Sequence, residues 1–218
     1  ETDLNIKETS IKNHKILKTN FPLSNELIDL KNHKLKVKYK NNKLYLNGEG
    51  GIRFENGFEN IKYFLVKNNN DYELKTEIDL KNISLKNHKY LKDFFPSTKD
   101  LLNFKNHKIK IEYKKNFVSF SGKGQIKIDR EYDNIDYFIL KEANTINFDV
   151  KTDLSKTDFK IDNINYKKNK KFIKKLNLSG SFIPGGNLSL NNLSILEKKN
   201  KIKISNLVFD ENYLIINL

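Results

Sequence analysis

The chain repeats itself with a period of about 74 residues, and this period constrains the fold more than any other feature of the sequence. Residues 10–67 and 84–141 align without a gap, and 26 of the 58 aligned positions are identical. The tetrapeptide Lys31–Lys34, for example, returns unchanged as Lys105–Lys108. A period of this size indicates structural units that stack on one another and share a continuous core.

A third, shortened unit follows the two full ones. Residues 149–154 correspond to residues 75–80, and Leu178–Phe182 resembles the glycine-centred segments of the earlier units. We therefore expect three β units in one continuous sheet, at residues 1–74, 75–148 and 149–218. The first residue is Glu and the chain contains no Met, so we expect a fragment of a longer chain.

Apolar and polar residues alternate along much of each unit. Such alternation predicts strands with one buried face, and it is clear in residues 72–80, 146–154 and 34–40. Turn residues after Tyr39 and around Gly185 predict hairpins, and the C-terminal tail adds further strands. The expected fold is mainly β: an extended, curled antiparallel sheet built from repeats of about 74 residues.

One short helix is expected in each full repeat. Residues 95–104 combine Phe-Pro, a capping Ser or Thr, an early acid and apolar residues at helical spacing. The matching stretch begins at Pro22.

The charge balance is strongly basic, but its chemistry does not favour a nucleic-acid partner. The formal net charge is +14, yet only two of the 41 basic residues are Arg, the residue that nucleic-acid sites prefer. Abundant Lys, Asn and Ile with few Arg and Ala are typical of an A+T-rich genome. The chain has no Cys and no apolar run long enough to cross a membrane as a helix.

No motif indicates catalysis, a metal or a cofactor, and we expect no enzyme. His14, His33, His88 and His107 each lie within Asn-His-Lys, which we interpret as surface turns rather than metal ligands. The segments Gly48–Gly51 and Gly122–Gln125 lack a phosphate-loop pattern and indicate bulges or bends in a sheet. The aromatic pairs Tyr63-Phe64 and Tyr137-Phe138 are interpreted as core or groove lining.

The apolar face is the remaining candidate for function. It can be a filled core, or it can line a trough that holds acyl chains, and the alternation alone does not separate the two. In the second case the groove-lining, lipid-binding residues would be Leu74, Thr76, Ile78, Leu80, Phe148, Val150 and Leu154.

The strand segments also resemble a known family, the AsmA-like proteins, and among them the YhdP type. The resemblance lies in the following segments: Ile78–Leu80, Ile161–Lys168, Leu176–Gly180, Leu193–Asn200 and Lys201–Leu207. It covers most of residues 75–218 and, through the repeat, the N-terminal part as well. The resemblance implies a long curled sheet without catalytic residues.

The resemblance further implies a phospholipid partner and a place in the cell. Proteins of this family are anchored in the inner membrane of Gram-negative bacteria and carry phospholipid across the periplasm toward the outer membrane along an apolar groove. The expectation is thus a periplasmic segment of a lipid-transfer protein, whose contact with the membrane lies in other parts of the parent chain. The alternative is a structural or adhesive repeat protein with filled sandwich cores that binds partners through its loops.

Overall fold

The structure is a computed structural model of the 218-residue chain. It describes residues 1–13, 18–19, 21–55, 57–69, 71–87, 91–162, 165–168, 173–197, 200–210 and 215–217.

Strands make up most of the described chain. In order they are β1 (Thr2–Lys12), β2 (Leu27–Lys40), β3 (Lys43–Arg53), β4 (Phe58–Lys67), β5 (Tyr72–Lys86), β6 (Leu101–Lys114), β7 (Phe117–Lys127), β8 (Tyr132–Glu142), β9 (Thr145–Thr152), β10 (Phe159–Ile161), β11 (Tyr166–Lys168), β12 (Ile173–Phe182), β13 (Leu188–Glu197), β14 (Asn200–Ile204), β15 (Leu207–Phe209) and β16 (Ile215–Asn217). One short helix, α1, spans Leu91–Phe94.

Fourteen of the strands form one antiparallel sheet that is not closed into a barrel. Strands β1 to β9 lie in chain order, and β12, β13, β15 and β16 continue the sheet beyond β9. Strand β14 also pairs with β13, while β10 and β11 form a separate two-stranded sheet. At about 4.8 Å per strand the sheet extends roughly 60 Å across its strands. The prediction of a mainly β, antiparallel sheet is confirmed.

Strand pairing recurs with the period of the sequence. Asn5 lies opposite Lys34 in the β1–β2 pair, and Asp79 lies opposite Lys108 in the β5–β6 pair, so both partners are displaced by one full period. The same displacement relates β3–β4 to β7–β8, where Gly48 faces Tyr63 and Gly122 faces Tyr137. The four strands β1–β4 and the four strands β5–β8 therefore share one register.

Tight hairpins lie along one side of the sheet. Asn41 and Asn42, which join β2 to β3, have φ angles of 51° and 56°. Two successive residues with positive φ match the twist of the flanking strands, and Asn is one of the few residues that accept this conformation. The predicted hairpin is confirmed here, and the one around Gly185, between β12 and β13, is confirmed as well.

The prediction of a helix over residues 95–104 is wrong. In the described chain only α1 forms a helix as long as four residues, and it ends before this segment. Strand β6 already begins at Leu101. Residues Leu101–Phe104 pair with β5, and Leu102 becomes 5% exposed. Pairing with a neighbouring strand overrides the local helical pattern. The matching stretch also enters a strand, since β2 begins at Leu27; residues 18 and 19, which correspond to 92 and 93, are helical.

The glycine-centred segment of the third unit does not occupy the same place in the sheet as the glycine-centred segments that it resembles. Leu178–Phe182 belongs to β12, which pairs with β9. This is the position that β2 and β6 occupy beside β1 and β5, whereas the earlier glycine-centred strands are β3 and β7.

Long connections lie along the other side of the sheet and cover part of its apolar face. The two that start after β1 and β5 are fixed alike: the Asn13 side-chain amide donates to the Asn25 carbonyl oxygen at 2.8 Å, and Asn87 donates to that of Lys99 at 2.7 Å. The connection after β9 carries the β10–β11 sheet, whose Phe159 packs against Phe94 and Phe95. In the part of the chain that the structure describes, these connections close a core along this side of the sheet and not along the hairpin side.

Candidate functional site: the open half of the apolar face

The large sheet has one apolar face and one charged face. On β5, Leu74, Thr76, Ile78 and Leu80 alternate with Glu73, Lys75, Glu77 and Asp79, and the charged residues are exposed. Directly opposed residues of an antiparallel pair lie on the same face, so the alternation of one strand carries over to the next. The described chain forms no second large sheet that could face this one in a sandwich.

The charged face carries cross-strand ion pairs between β5 and β6. Lys110 Nζ lies 2.8 Å from Glu77, and Lys114 Nζ lies 3.3 Å from Glu73. The ammonium of Lys110 lowers the pKa of the Glu77 carboxyl through a hydrogen bond. Each exposed pair of this kind contributes only about 0.2–1 kcal/mol, so their main effect is to favour the correct register.

Apolar side chains form rows that cross the sheet. One row joins Thr76 of β5 to Ile111, Phe120, Ile139 and Phe148 on β6 to β9. The next row joins Ile78 to Ile109, Gly122, Tyr137 and Val150. These rows run perpendicular to the strands, so a ligand lying along one of them would contact several strands in succession.

The apolar face divides into a covered half and an open half. Beneath the long connections lies a core cluster that includes Leu102, Ile126, Leu154, Phe159 and Ile195. Toward the hairpins, apolar side chains become half-buried or exposed, and Phe120 is 37% exposed. We call this surface the open half and define it by Leu74, Ile111, Tyr113, Val118, Phe120, Ile139, Ile146, Phe148 and Val150.

The seven residues predicted to line a groove fall into two groups. Leu74, Phe148 and Val150 belong to the open half and are half-buried. The remaining four are at most 9% exposed: Thr76, Ile78, Leu80 and Leu154. Leu154 is 0% exposed, lies beyond the end of β9 and belongs to the core cluster, so it offers no surface to a ligand. The predicted residues thus mark the apolar face without separating its covered part from its open part.

The interpretation of the histidines as surface turn residues is wrong for His33 and His107. They lie within β2 and β6 and are 2% and 1% exposed. The preceding Asn32 and Asn106 have φ angles of 53° and 49°, and each forms a β-bulge that shifts the register against the next strand. The bulge reverses the alternation, so that the histidine takes the apolar face. His14 and His88 lie outside the described residues.

Glycines on the facing strand make room for these histidine rings. A Cβ atom on Gly50 would lie 2.4 Å from His33 Cδ2, and one on Gly124 would lie 2.4 Å from His107 Nδ1. Gly48 and Gly122 leave the same room for the tyrosines of β4 and β8. Gly50 and Gly124 therefore lie opposite the bulges, Gly48 and Gly122 lie opposite the tyrosines, and all four accommodate an inward ring. The sequence prediction of a bulge or bend did not include this role.

The two histidines differ in their hydrogen bonds. His33 Nε2–H donates to the Gly51 carbonyl oxygen at 2.9 Å, which leaves Nδ1 to accept from the Tyr63 hydroxyl at 3.3 Å. The His107 nitrogens have no hydrogen-bond partner in the described structure, and its ring stacks on Tyr137 at 5.5 Å. Burial lowers the pKa of His107 and raises the pKa of Tyr137 to about 12. The rings of His107 and Tyr137 are therefore neutral near pH 7 and extend the apolar face.

The interpretation of Phe64 and Phe138 as core or groove lining is wrong. Phe138 lies opposite Ser121 and Asp149 on the charged face and is 45% exposed. Phe64 occupies the corresponding place in β4 and is 40% exposed. Their neighbours Tyr63 and Tyr137 lie on the apolar face, where they cover Gly48 and Gly122.

A buried lysine that the sequence analysis missed fixes the cover over the core. Lys168 of β11 is 3% exposed, and its ammonium donates to the carbonyl oxygens of Leu154 and Thr157. The Thr157 hydroxyl donates to the Asp133 carboxylate at 2.7 Å, although burial raises the pKa of that carboxyl. In a chain with 41 basic residues, nothing in the pattern distinguishes this lysine.

The charged face carries two depressions at equivalent places in the repeat. One, of about 840 Å³, includes Lys108, Asn134 and Asp153; the other, of about 720 Å³, includes Lys34, Asn60 and Asp79. Both mix lysines with carboxylates and lie open to solvent, as expected for a hydrated charged surface. Among the described residues no group of three or more His, Asp or Glu side chains could hold a metal ion.

Helices of the described chain are all too short and polar to cross a membrane. Comparison of the chain with protein-family models, with curated proteins and with solved structures finds no match.

Proposed function

We propose that the chain binds phospholipid acyl chains on its open half, as a periplasmic segment of a lipid-transfer protein between the inner and outer membranes. The observation that carries this proposal is a long antiparallel sheet whose apolar face is covered along one side and left open along the other. Exposed apolar patches rimmed by polar residues are typical of sites that bind ligands, proteins or membranes. The AsmA-like pattern of the strand segments favours phospholipid among these.

The rows of the apolar face support transfer rather than a single binding site. Successive units share one register, and the rows therefore continue from one unit to the next. An acyl chain that lies across the strands would meet similar apolar side chains at each step. Each buried CH₂ group contributes about 0.8 kcal/mol, and this contribution would change little as the lipid moves along a row.

Lysines on the hairpin side carry positive charge that would attract phosphate headgroups. Lys40, Lys43, Lys67 and Lys141 are exposed along this side of the sheet, and Lys67 and Lys141 lie next to the open half. Headgroups held there would remain in water while the acyl chains lie on the apolar face. An ammonium near an anionic lipid surface contributes about 1 kcal/mol.

A charge on the open half tests the proposal. Phe120→Glu places a carboxylate on the open half, and Phe138→Glu places one on the charged face of the adjacent strand. Both phenylalanines are exposed, at 37% and 45%, so neither substitution removes a core residue. Ile78 is less suitable, because it is 9% exposed and its substitution would also perturb folding.

The measurement is native mass spectrometry of detergent-free protein purified from the periplasm, with extraction and quantification of phospholipid. We expect phospholipid on the unsubstituted chain and on F138E, and at least a severalfold lower content on F120E, because a carboxylate in contact with an acyl chain loses its hydration. Circular dichroism checks that both variants keep their strands. A folded chain without phospholipid, or equal lipid in the two variants, would contradict lipid binding and favour a structural role.

A further inference from the structure

We propose that the outer edge of β1 is an interaction surface that binds one further antiparallel strand with the side-chain pattern of β4. This inference rests on strand register, burial and charge, and it stands independently of lipid binding.

Burial at equivalent repeat positions shows that β1 has one neighbouring strand in the described structure where its counterparts have two. Leu4 of β1, Ile78 of β5 and Thr152 of β9 occupy the same position in successive units. Ile78 lies between β4 and β6 and is 9% exposed, and Thr152 lies between β8 and β12 and is 8% exposed. Leu4 pairs with β2 on one side only and is 45% exposed. A strand on the outer side of β1 would bury it as its counterparts are buried.

The repeat defines how such a strand would pair. In the β4–β5 pair, Ile61 lies opposite Ile78, and Asn60 lies opposite Asp79. A displacement of one period places Leu4 where β5 has Ile78, and Asn5 where it has Asp79. The incoming strand therefore has an apolar residue opposite Leu4, and it runs antiparallel to β1. Addition of an extended segment to a free sheet edge is a common mode of recognition.

Charge distinguishes a β4-like partner from a β8-like one. Lys62 of β4 lies opposite Glu77, whereas Asp136 of β8 lies opposite Lys151. The corresponding residue of β1 is Asp3, which is acidic like Glu77. Opposite charges across a strand pair stabilise it and like charges destabilise it. The partner strand thus has a basic residue opposite Asp3.

A second copy of this chain does not supply such a strand from β4, because β4 already pairs with β3 and β5. The proposed occupant is a separate strand with the β4 pattern. Pairing of β1 with a strand of a second copy that has one described neighbour, such as β1 or β14, is the competing arrangement, and it is one outcome of the experiment below.

Disulfide trapping tests the register, since the chain contains no cysteine of its own. The probe is a synthetic peptide with the sequence of Phe58–Lys67. Two adjacent pairs are used, Asn5→Cys with peptide Asn60→Cys and Leu4→Cys with peptide Ile61→Cys, because opposed pairs alternate between wide and narrow separations. The control peptide has Phe64→Cys, which lies about 13 Å along the strand from the position opposite Asn5.

We expect at least one matched pair to cross-link severalfold faster than the same protein variant with the control peptide. Equal rates for matched and control peptides would overturn the proposal. So would a dimer of the unsubstituted chain in size-exclusion chromatography that excludes the peptide, because a second copy would then occupy the edge of β1.

A charge exchange tests the choice of partner. With a fluorescent label on the peptide, Lys62→Glu in the peptide weakens binding roughly threefold, as expected for one exposed cross-strand pair. Asp3→Lys in the protein restores the affinity of that altered peptide. Failure of the exchange to restore binding would contradict the predicted pairing of Asp3 with a basic residue.

Discussion

At the scale of single residues, the buried histidines show that one backbone angle can reverse which side chains of a strand face the core. Simple alternation continued from Leu102 and Phe104 of β6 would turn Asn106, and not His107, onto the apolar face. Because Asn106 takes a positive φ of 49°, the strand gains one residue and His107 turns onto the apolar face. The glycine on the next strand was visible in the sequence, but its partner ring could be identified only with the register in hand.

The fit between glycine and histidine gives a prediction for Gly124→Ala. Its Cβ would lie 2.4 Å from His107 Nδ1, so we expect the free energy of unfolding in urea to fall by about 1–3 kcal/mol. Gly57→Ala is the matched control and should have little effect, because no atom lies within 4 Å of the added Cβ. Adding His107→Ala to Gly124→Ala should recover only the part of the loss that the ring causes, because the added Cβ also lies 2.7 Å from His107 Cα and 2.8 Å from the Asn106 carbonyl oxygen. Equal effects of the two glycine substitutions would show that the ring does not require this space.

At the scale of elements, strands and hairpins could be predicted because their signals are local. Alternation over residues 72–80 and the turn residues Asn41 and Asn42 determine structure within a few positions. The helix prediction over residues 95–104 failed, and pairing of β6 with β5 decides the conformation of the part from Leu101 to Phe104. The β10–β11 sheet that covers the core was also missed, because distant contacts fix it. Its two strands have three residues each and are held by Lys168.

The β-bulge in β6 provides a prediction at this scale. Asn106→Val forces a β-branched residue into a left-handed conformation, which costs about 1–2 kcal/mol. Asn147→Val on β9 should change stability by less than about 0.5 kcal/mol, because Asn147 has no positive φ and valine favours strands. Both values come from urea unfolding. If Asn106→Gly were as harmful as Asn106→Val, the backbone angle would not be the cause.

At the scale of the whole molecule, the sheet is a linear array. Among the described elements, extensive contacts occur between strands that are hydrogen-bonded neighbours. The one further pair in extensive contact is α1 with β10. Stability in such arrays is the sum of local terms and nearest-neighbour terms, so it need not be uniform. The larger core cluster includes residues of β7, β12 and β13, and the smaller one centres on β5. The open half was beyond sequence reasoning, because alternation marks a face but not what covers it.

Hydrogen exchange followed by mass spectrometry should reveal this gradient. Amides of β12 and β13, beside the larger cluster, should exchange at least about tenfold more slowly than those of β1. Among the described strands, β1 has β2 as its single neighbour, and it exposes Leu4 and Ile11. Uniform protection across the sheet would mean that the units unfold together, and that the stability of the sheet does not vary from one strand to the next.

The shared register of the units has a consequence for how such a chain can change its length. Four strands return the backbone to its starting direction, and one period later each pair meets the same kind of partner. A gene that loses or duplicates one whole period would therefore encode a sheet with the same two faces, the same hairpin side and matched edges at the junction. Length can then evolve in steps of one unit, roughly 19 Å of sheet at a time, without a new fold at any step.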